Sequence, residues 1–453
     1  MTSVNSISPL TSLQHAHTTD HELPEYVLDA DAKFWFQICG PALAGMMDFA
    51  GTYSPEEKKG NLRFFAEQVC PWIGPRPARS SDQDTSGSPY EASTPVEMSV
   101  NFSSTRKPIV RFQLEPTRVT KGQHVASEEP LVIDGLLKVL ESTESLPGVN
   151  LNLVRQLLQS MVPSERQDIA TLNAAVRDGR LPAPLDHVTH LQVAFDLDGT
   201  KRSMKTYYNP MAMQLATGKN IRDVAFNAIE GLQPYGRDLA VPLGVVGDFM
   251  KSSPDVMEVL MTGVDAADPA TARIKLYTYL RDANSWECVR RAWTLGGAAA
   301  DDEDRMTGLA LLRSIWPLLM DEAATPWSRL ETLQKPPRVS LSFLGTLLLT
   351  YEFRHDTRVP DVKLYLPLWQ YAPTDRRIAD NVAEILRTLG WGEAADGYMA
   401  HLQRTFPGAN LDGPAALHSY LSFSYSRKTG PYLSLYYAIH GKAVNPTNEG
   451  SAA

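Results

Sequence analysis

The chain contains 453 residues, of which 43% are apolar and 21% charged, and its formal net charge is -9. This composition is typical of a globular protein with a sizeable core and excludes extensive disorder. The net negative charge gives no general attraction to nucleic acid or to anionic membranes, so a small molecule is the favoured ligand. The three cysteines are odd in number and far apart, which argues against disulfides and predicts a reducing, cytoplasmic location.

The two ends of the chain differ from the part between them. Residues 1–25 and 441–453 are polar and aperiodic, and we expect them to form flexible tails without a chemical role. Residues 26–440 carry the periodic patterns described below and are predicted to form one domain. The longest apolar stretch begins at Leu341 and is too short to span a bilayer as a helix, so no membrane span is expected.

Helical patterns precede the first strand. Apolar residues recur at helical spacing over 32–47 and 55–69, and Ser54 before Pro55 is a typical N-cap. The next segment, 75–94, is rich in Pro, Arg, Ser, Asp and Gly and has no periodicity. It predicts a long loop, which in a compact domain is often functional and here could cover the opening of a binding site.

After this loop, a pattern of two strands followed by one or two helices recurs, giving five strand pairs. The strand pairs are predicted at 95–102 and 109–116, 188–197 and 203–210, 256–263 and 272–280, 346–354 and 361–369, and 418–426 and 431–439. Helices are predicted at 130–145, 150–178, 221–233, 285–299, 304–323 and 376–405. The period of about 80 residues exceeds that of common solenoids. A closed barrel of hairpins with helices outside is the simplest fold for this pattern.

The second strand of most pairs carries cationic and phenolic side chains. Because strand side chains alternate between faces, these groups share one face while their apolar neighbours face the other way. The residues are Arg111, Lys205, Arg273, Lys275 and Lys363, with Tyr207, Tyr277, Tyr365, Tyr432 and Tyr436. A face that repeatedly places Tyr beside Arg or Lys indicates an enclosed polar lumen. Such a lumen suits a ligand that is multiply anionic and able to become a carbocation.

Seven short motifs follow one another along the chain. They are P-V-E-M-S-V-N-F (95–102), V-R-F (110–112), M-K-T-Y-Y (204–208), R-I-K-L-Y (273–277), W-T-L-G-G (293–297), V-K-L-Y-L-P-L (362–368) and S-Y-S-R-K-T-G-P-Y-L-S-L-Y-Y (424–437). In this order, they resemble the motifs of fungal aromatic prenyltransferases of the dimethylallyltryptophan synthase family. The resemblance implies an α+β fold, the ABBA barrel, in which five αββα repeats close ten antiparallel strands into a barrel with helices outside. The active site would lie in the lumen of this single domain.

The resemblance also implies an activity. A dimethylallyl or longer allylic group would pass from its diphosphate to an indole, without a metal or another cofactor, in fungal secondary metabolism such as alkaloid biosynthesis. The five cations would bind the diphosphate, the five tyrosines would shield the allylic cation and contact phosphate, and Glu97 would withdraw the acceptor's proton. The partners would be the allylic donor and the aromatic acceptor, and a homodimer is left open.

The acceptor is not fixed by the sequence. Counting back along the hairpin from Lys205, Gln192 takes the position at which enzymes that prenylate tryptophan at ring carbon 4 resemble each other in carrying a lysine. The segment 88–94 also lacks the pattern associated with gripping the carboxylate of a free amino acid. A larger indole, such as a cyclic dipeptide or an indole terpenoid, remains open. A phenolic or polyketide hydroxyarene is one alternative, and a non-enzymatic barrel that binds an isoprenoid phosphate is another.

Three further features are expected to be structural. Trp293 in W-T-L-G-G is predicted to pack a helix that the two glycines end. The acidic run 301–305 resembles a magnesium-binding aspartate motif, but its fifth position is Arg, which favours a helix N-terminus. His187 and His190 have no third ligand at a metal spacing, so no metal site is expected. The chain has no P-loop, G-x-S-x-G or dinucleotide motif.

Overall fold

The computed structural model describes residues 26–76, 93–116, 129–182, 188–254, 256–281, 284–339 and 345–440. The predicted tails, His187 and most of the predicted loop at 75–94 lie outside these residues. The same holds for most of the segment 88–94 that bears on the acceptor.

Ten antiparallel strands within the described residues close into a barrel. They are β1 (Ser93–Ser103), β2 (Arg106–Leu114), β3 (Leu191–Asp198), β4 (Lys201–Tyr208), β5 (Met257–Asp265), β6 (Ile274–Leu280), β7 (Leu348–Phe353), β8 (Asp361–Pro367), β9 (His418–Ser426) and β10 (Gly430–His440). Each strand pairs with its neighbours in sequence, and β1 pairs with β10 to close the sheet. The predicted barrel of five hairpins is confirmed.

Helices pack on the outside of the barrel. They are α1 (Ala30–Ala50), α2 (Pro55–Phe64), α3 (Cys70–Ile73), α4 (Glu129–Ser142), α5 (Asn152–Met161), α6 (Arg166–Arg177), α7 (Met211–Thr217), α8 (Ile221–Glu230), α9 (Gly236–Ser252), α10 (Trp286–Trp293), α11 (Glu303–Leu319), α12 (Trp327–Leu330), α13 (Asp375–Thr388) and α14 (Gly392–Thr405). A π-helical turn, Phe65–Val69, joins α2 to α3. No helix in the described part of the chain is both long and apolar enough to cross a membrane.

Two of the predicted helices were too long. The stretch 150–178 forms α5 and α6, because the chain leaves the helix at Val162 and continues into Pro163, which cannot donate a backbone hydrogen bond. The stretch 376–405 forms α13 and α14, separated at Gly390, whose φ of 93° is left-handed. The helices α3, α7, α9 and α12 were not predicted.

The strand alternation divides each strand between an apolar core and the lumen. On β2, Val110, Phe112 and Leu114 point outward and are almost fully buried against the helices. Arg111 and Gln113 lie between them and face inward. One strand therefore anchors the helical layer with one face and presents polar groups to the lumen with the other.

Two of the features expected to be structural, the acidic run and Trp293, agree with the fold. Asp302 caps α11 by accepting a hydrogen bond from a backbone N–H, which confirms the predicted helix N-terminus at the acidic run. Trp293 is buried, and its indole N–H donates to a backbone carbonyl at 3.0 Å. Gly296 then adopts a left-handed φ of 70°. The three cysteines are free thiols, and the described residues contain no group of His, Cys, Asp and Glu that could hold a metal ion.

Candidate active site

Five cationic side chains that the sequence placed on one face converge inside the barrel. Arg111 lies on β2, Lys205 on β4, Arg273 and Lys275 at the start of β6, and Lys363 on β8. Four of them are less than 10% exposed, although Lys and Arg are rarely buried without a partner. Each of the five must therefore find compensating negative charge in the lumen.

Three carboxylates supply that charge, and the sequence analysis did not single out any of them. Asp196 on β3 accepts hydrogen bonds from Arg111 and Lys205 on the two adjacent strands. Asp265 on β5 accepts from Arg273 at 2.7 Å and from Lys275 at 2.9 Å. Glu352 on β7 accepts from Arg273 at 3.0 Å and lies 3.8 Å from Lys363.

We call these eight side chains the lumen ion-pair belt. From β2 to β8 the sign of the charge alternates with each strand, because even-numbered strands carry the cations and odd-numbered strands the carboxylates. Burial lowers the pKa of Lys205 to about 8 and that of Lys363 to about 8, since desolvation disfavours an ammonium group. Burial alone would raise the pKa of Asp196, but Arg111 and Lys205 hold it well below its usual value.

Four tyrosines form a continuous arc next to the belt. The ring centroids of Tyr207 and Tyr277 lie 5.7 Å apart, those of Tyr277 and Tyr365 5.8 Å, and those of Tyr365 and Tyr436 5.9 Å. We call this group the tyrosine arc. On β4, β6 and β8 the arc residue follows the belt lysine by two positions, so it lies one pleat further along the lumen. Burial raises the pKa of Tyr277, which keeps its phenol protonated.

The fifth predicted tyrosine contacts the belt and is not part of the arc. Tyr432 on β10 lies below Tyr436, and the ammonium of Lys363 lies 4.6 Å above the centroid of its ring. This cation–π contact pairs Tyr432 with a belt lysine, away from the four rings of the arc.

Glu97 on β1 lies beyond the arc. Its register partners are Gln113 and Ala438, while Ser99, one pleat below, is opposite Tyr436. Gln113 donates a hydrogen bond to its carboxylate at 2.7 Å and the Ser419 hydroxyl donates another at 2.6 Å. Burial raises the pKa of Glu97 to about 7, and the bond from Ser419 opposes that rise. A carboxylate in this state is suited to accept a proton near neutral pH.

Small polar side chains line the wall formed by β9, β10 and β1. The hydroxyl oxygens of Ser99, Ser422 and Ser434 and the amide oxygen of Asn101 are buried and have no hydrogen-bond partner among the described residues. Buried polar groups in folded proteins are normally paired. This wall therefore has free hydrogen-bonding capacity for polar atoms of a bound molecule. Gln192 lies on β3 opposite Tyr207, at the level of the tyrosine arc.

The carboxylates of the belt carried a signal in the sequence that was not used. Asp196 follows Phe195 and precedes Leu197 within a strand, so it alternates with two buried apolar residues. Asp265 and Glu352 also lie on the inward faces of first strands of hairpins, as their register partners show. All three carboxylates could have been identified in the sequence as acidic residues at inward-facing positions of buried strands.

A closed ten-stranded barrel of αββα repeats with this lumen defines an aromatic prenyltransferase of the ABBA type. The model of the tryptophan dimethylallyltransferase family matches residues 31–401, and the chain therefore belongs to that family. It is a prenyltransferase, and the alternative of a non-enzymatic binding barrel is set aside. The resemblance noted in the sequence is confirmed.

Individual relatives differ in the acceptor that their names give. The chain is 38% identical to the O-glucose prenyltransferase PaPT of Phomopsis amygdali, over 92% of this chain and 91% of PaPT. It is 33% identical to the indole diterpene prenyltransferase terF of Tolypocladium album, over 90% and 94% of the two chains. Its structure is similar to that of AnaPT from Neosartorya fischeri, with a TM-score of 0.74, 25% identity and coverage of 92% and 95%.

Proposed function

We propose that the protein transfers a dimethylallyl group, or a longer allylic group, from its diphosphate to an indole-containing acceptor without a catalytic metal ion. The observation that carries the proposal is the order of groups along the lumen. The lumen ion-pair belt comes first, the tyrosine arc second and Glu97 third. A donor whose diphosphate binds the belt would direct its allylic group to the arc and leave Glu97 beside the acceptor.

The first step is ionisation of the donor. The bond between the allylic carbon and the diphosphate oxygen breaks, and its electron pair stays on that oxygen. Arg111, Lys205, Arg273, Lys275 and Lys363 stabilise the charge on the departing diphosphate, an effect that is strongest where water is excluded. These cations take the part that a divalent metal plays in many phosphoryl-transfer sites, which is why a metal-independent reaction is proposed.

The tyrosine arc protects the allylic cation that remains. Aromatic faces attract a cation by about 0.5 to 2 kcal/mol each. A phenolate would capture the carbocation, but burial raises the pKa of Tyr207, Tyr277 and Tyr365, so the phenols stay neutral. The arc therefore attracts the cation without reacting with it.

The acceptor attacks from the side of Glu97. For an indole, Glu97 accepts the N–H proton as the ring carbon attacks. The attacked carbon then passes its own proton to the departed diphosphate, and Glu97 returns a proton to nitrogen. The net products are the prenylated indole, diphosphate and one proton. Gln113 and Ser419 hold the carboxylate in place for this transfer.

A hydroxyl group, as in a sugar, is a second candidate acceptor. The relative that is 38% identical carries the name O-glucose prenyltransferase. Attack by a hydroxyl oxygen requires the loss of one proton, for which Glu97 is sufficient. Attack by a ring carbon needs a second proton acceptor. Gln192, opposite Tyr207 in the lumen, cannot serve as one, so that role falls to the departed diphosphate.

One incubation separates these acceptors. Purified protein is mixed with dimethylallyl diphosphate, excess chelator and, in separate tubes, tryptophan, a tryptophan-containing cyclic dipeptide, a naphthalenediol or an alkyl glucoside. We expect a product whose mass shows one added dimethylallyl group on an indole, with the chelator present. Product on the glucoside or the naphthalenediol alone would replace the indole by a hydroxyl acceptor. Turnover that appears only without chelator would contradict the metal-independent mechanism.

A further inference from the structure

The carboxylates of the lumen ion-pair belt are unusual for a site that would bind a diphosphate. Negative side chains repel an anionic ligand, yet Asp196, Asp265 and Glu352 lie directly among the cations, with side chains no more than 15% exposed. Breaking a buried ion pair by removing one partner is costly because an uncompensated charge is left behind. The carboxylates must therefore do something for the cations that outweighs their repulsion of the donor.

Geometry shows what each carboxylate does. Asp196 bridges cations on the strands to either side of it, since it accepts from Arg111 on β2 and Lys205 on β4. Glu352 bridges in the same way between Arg273 and Lys363. Each bridge holds two like charges in a defined relative position while no ligand is bound.

The bridging carboxylates also affect the protonation of the lysines in the belt. Among the described lumen residues of the belt there are five cations against three carboxylates, so the cations remain in excess. The groups that act on Lys205 are Asp196 and Asp265, which favour its protonated form, and Arg111 and Lys275, which oppose it. For Lys363 they are Glu352, which favours protonation, and Arg111, Arg273 and Lys275, which oppose it.

We infer that Asp196 and Glu352 are positioning residues for donor binding, which keep Lys205 and Lys363 protonated and in place until a diphosphate takes over as their partner. The inference rests on the proposed function, because it assumes that the belt binds the diphosphate. Removal of either carboxylate takes away the nearest opposite charge from its lysine while the neighbouring cations stay, so the lysine loses its proton at a lower pH. Donor affinity then fails at alkaline pH while it persists at acid pH.

The test measures the affinity for inorganic pyrophosphate by calorimetry, which requires no knowledge of the acceptor. Asp196→Asn is compared with wild type between about pH 6 and about pH 9, a range that spans the titration of the belt lysines. At the acid end we expect equal or tighter binding, because one negative charge is gone. The alkaline fall in affinity should move down by about one pH unit, which is about a tenfold loss at the alkaline end.

Three variants complete the design. Asp198→Asn changes an exposed carboxylate two residues further along β3 and should follow the wild-type profile. Asp196→Glu keeps the charge and should restore the pyrophosphate affinity at the alkaline end of the pH range. Glu352→Gln removes the carboxylate partner of Lys363 and tests the same prediction there. It replaces Asp196→Asn if that variant does not fold. A loss of affinity in Asp196→Asn or Glu352→Gln by the same factor at every pH, or no loss, would overturn the inference.

The variant Lys205→Met distinguishes failure of the positioning role from failure of the proposed function. If the belt binds the donor, this variant weakens pyrophosphate binding at every pH below the alkaline fall. If wild type does not bind pyrophosphate, or Lys205→Met binds it as tightly as wild type, the belt is not the diphosphate site and both proposals fail. If Lys205→Met binds weakly and the carboxylate variants behave like wild type, only the positioning role fails.

Discussion

The lumen ion-pair belt and a second buried polar cluster, outside the barrel, differ in how their groups are satisfied. The outer network consists of Asp375, Tyr398, His418 and Tyr437 and joins α13 and α14 to β9 and β10. The Asp375 carboxylate accepts three backbone N–H groups at 2.8 to 2.9 Å and lies 2.7 Å from His418 Nδ1. The Tyr398 hydroxyl lies 2.9 Å from both His418 Nε2 and the Tyr437 hydroxyl.

The outer network therefore satisfies its groups internally, whereas the lumen does not. In the lumen, cations outnumber the carboxylates of the belt, and hydroxyls such as that of Ser434 have no partner among the described residues. A buried cluster that satisfies itself contributes to stability, while one with unused charge and hydrogen-bonding capacity is suited to a ligand. Substitutions in the outer network should thus lower stability, and substitutions in the lumen should change binding and turnover.

The largest effect is expected for Glu97→Gln. General-base catalysis contributes about 10²- to 10⁴-fold, so turnover should fall by about that factor. The melting temperature should stay the same or rise, because burial raises the pKa of Glu97 to about 7 and the neutral amide removes a buried charge. Product mass and thermal unfolding measure the two quantities. Glu67→Gln, which changes an exposed carboxylate on the outside, should match wild type, and full turnover by Glu97→Gln would contradict its role.

The next effect is on stability. Asp375→Ala leaves several buried donors of the outer network unpaired and should lower the free energy of unfolding by about 3 kcal/mol. Denaturant unfolding measures the loss, and pyrophosphate affinity of the folded variant should not change. Asp380→Ala, on the exposed side of α13, is the matched control and should unfold like wild type. A loss of pyrophosphate affinity in folded Asp375→Ala would contradict the prediction that the outer network affects stability and not ligand binding.

The pH dependence of the wild-type enzyme is expected to be narrow. Glu97 must be ionised to accept a proton, so kcat/KM should fall as pH drops below its pKa of about 7. Lys205 and Lys363 must be protonated to bind diphosphate, so kcat/KM should also fall as pH rises above their pKa of about 8. The acid limb should approach about tenfold per pH unit, and the alkaline limb about a hundredfold, because two ammonium groups must both stay protonated. A flat profile from about pH 6 to about pH 9 would show that these groups do not control the reaction.

The smallest effect is expected in the tyrosine arc. Tyr277→Leu removes the central ring and about 1 kcal/mol of attraction for the allylic cation, which is close to a fivefold loss of turnover. Tyr277→Phe keeps the ring and should turn over close to wild type. Steady-state kinetics measure turnover in both variants, and pyrophosphate affinity is the second readout. Equal losses in both variants would assign the effect to the hydroxyl instead of the aromatic face.

Much of this organisation could be predicted from the sequence because strand alternation is local. The inward cations and tyrosines lie two residues apart on single strands, as Lys205 and Tyr207 do, so a period of two was enough to group them. Pairings between strands are not local. Arg273 and Glu352 are 79 positions apart, and their contact depends on the register of β6 against β7. The role of the carboxylates in pairing the cations could therefore not be read from the sequence.

The same limit applies to the surroundings of Glu97. The family motif indicated the residue, but its partner Ser419 is 322 positions away and reaches it through the closure of the barrel. Short helices such as α7 were missed because seven residues give too little periodicity. The 17-residue helix α9, which contains Pro242, was also missed, and the breaks at Pro163 and Gly390 within two predicted helices were overlooked.

The pairing of β1 with β10 has a consequence for how the enzyme is made. During synthesis the residues of β1 leave the ribosome more than 300 positions ahead of Ser419, so the closed cavity cannot form until β10 has also been made. Proteins whose contacts are this far apart fold slowly, and their unpaired strand edges are open to association with other chains meanwhile. Fragments that end before β10 should consequently have no turnover at all, however well their helices and hairpins form.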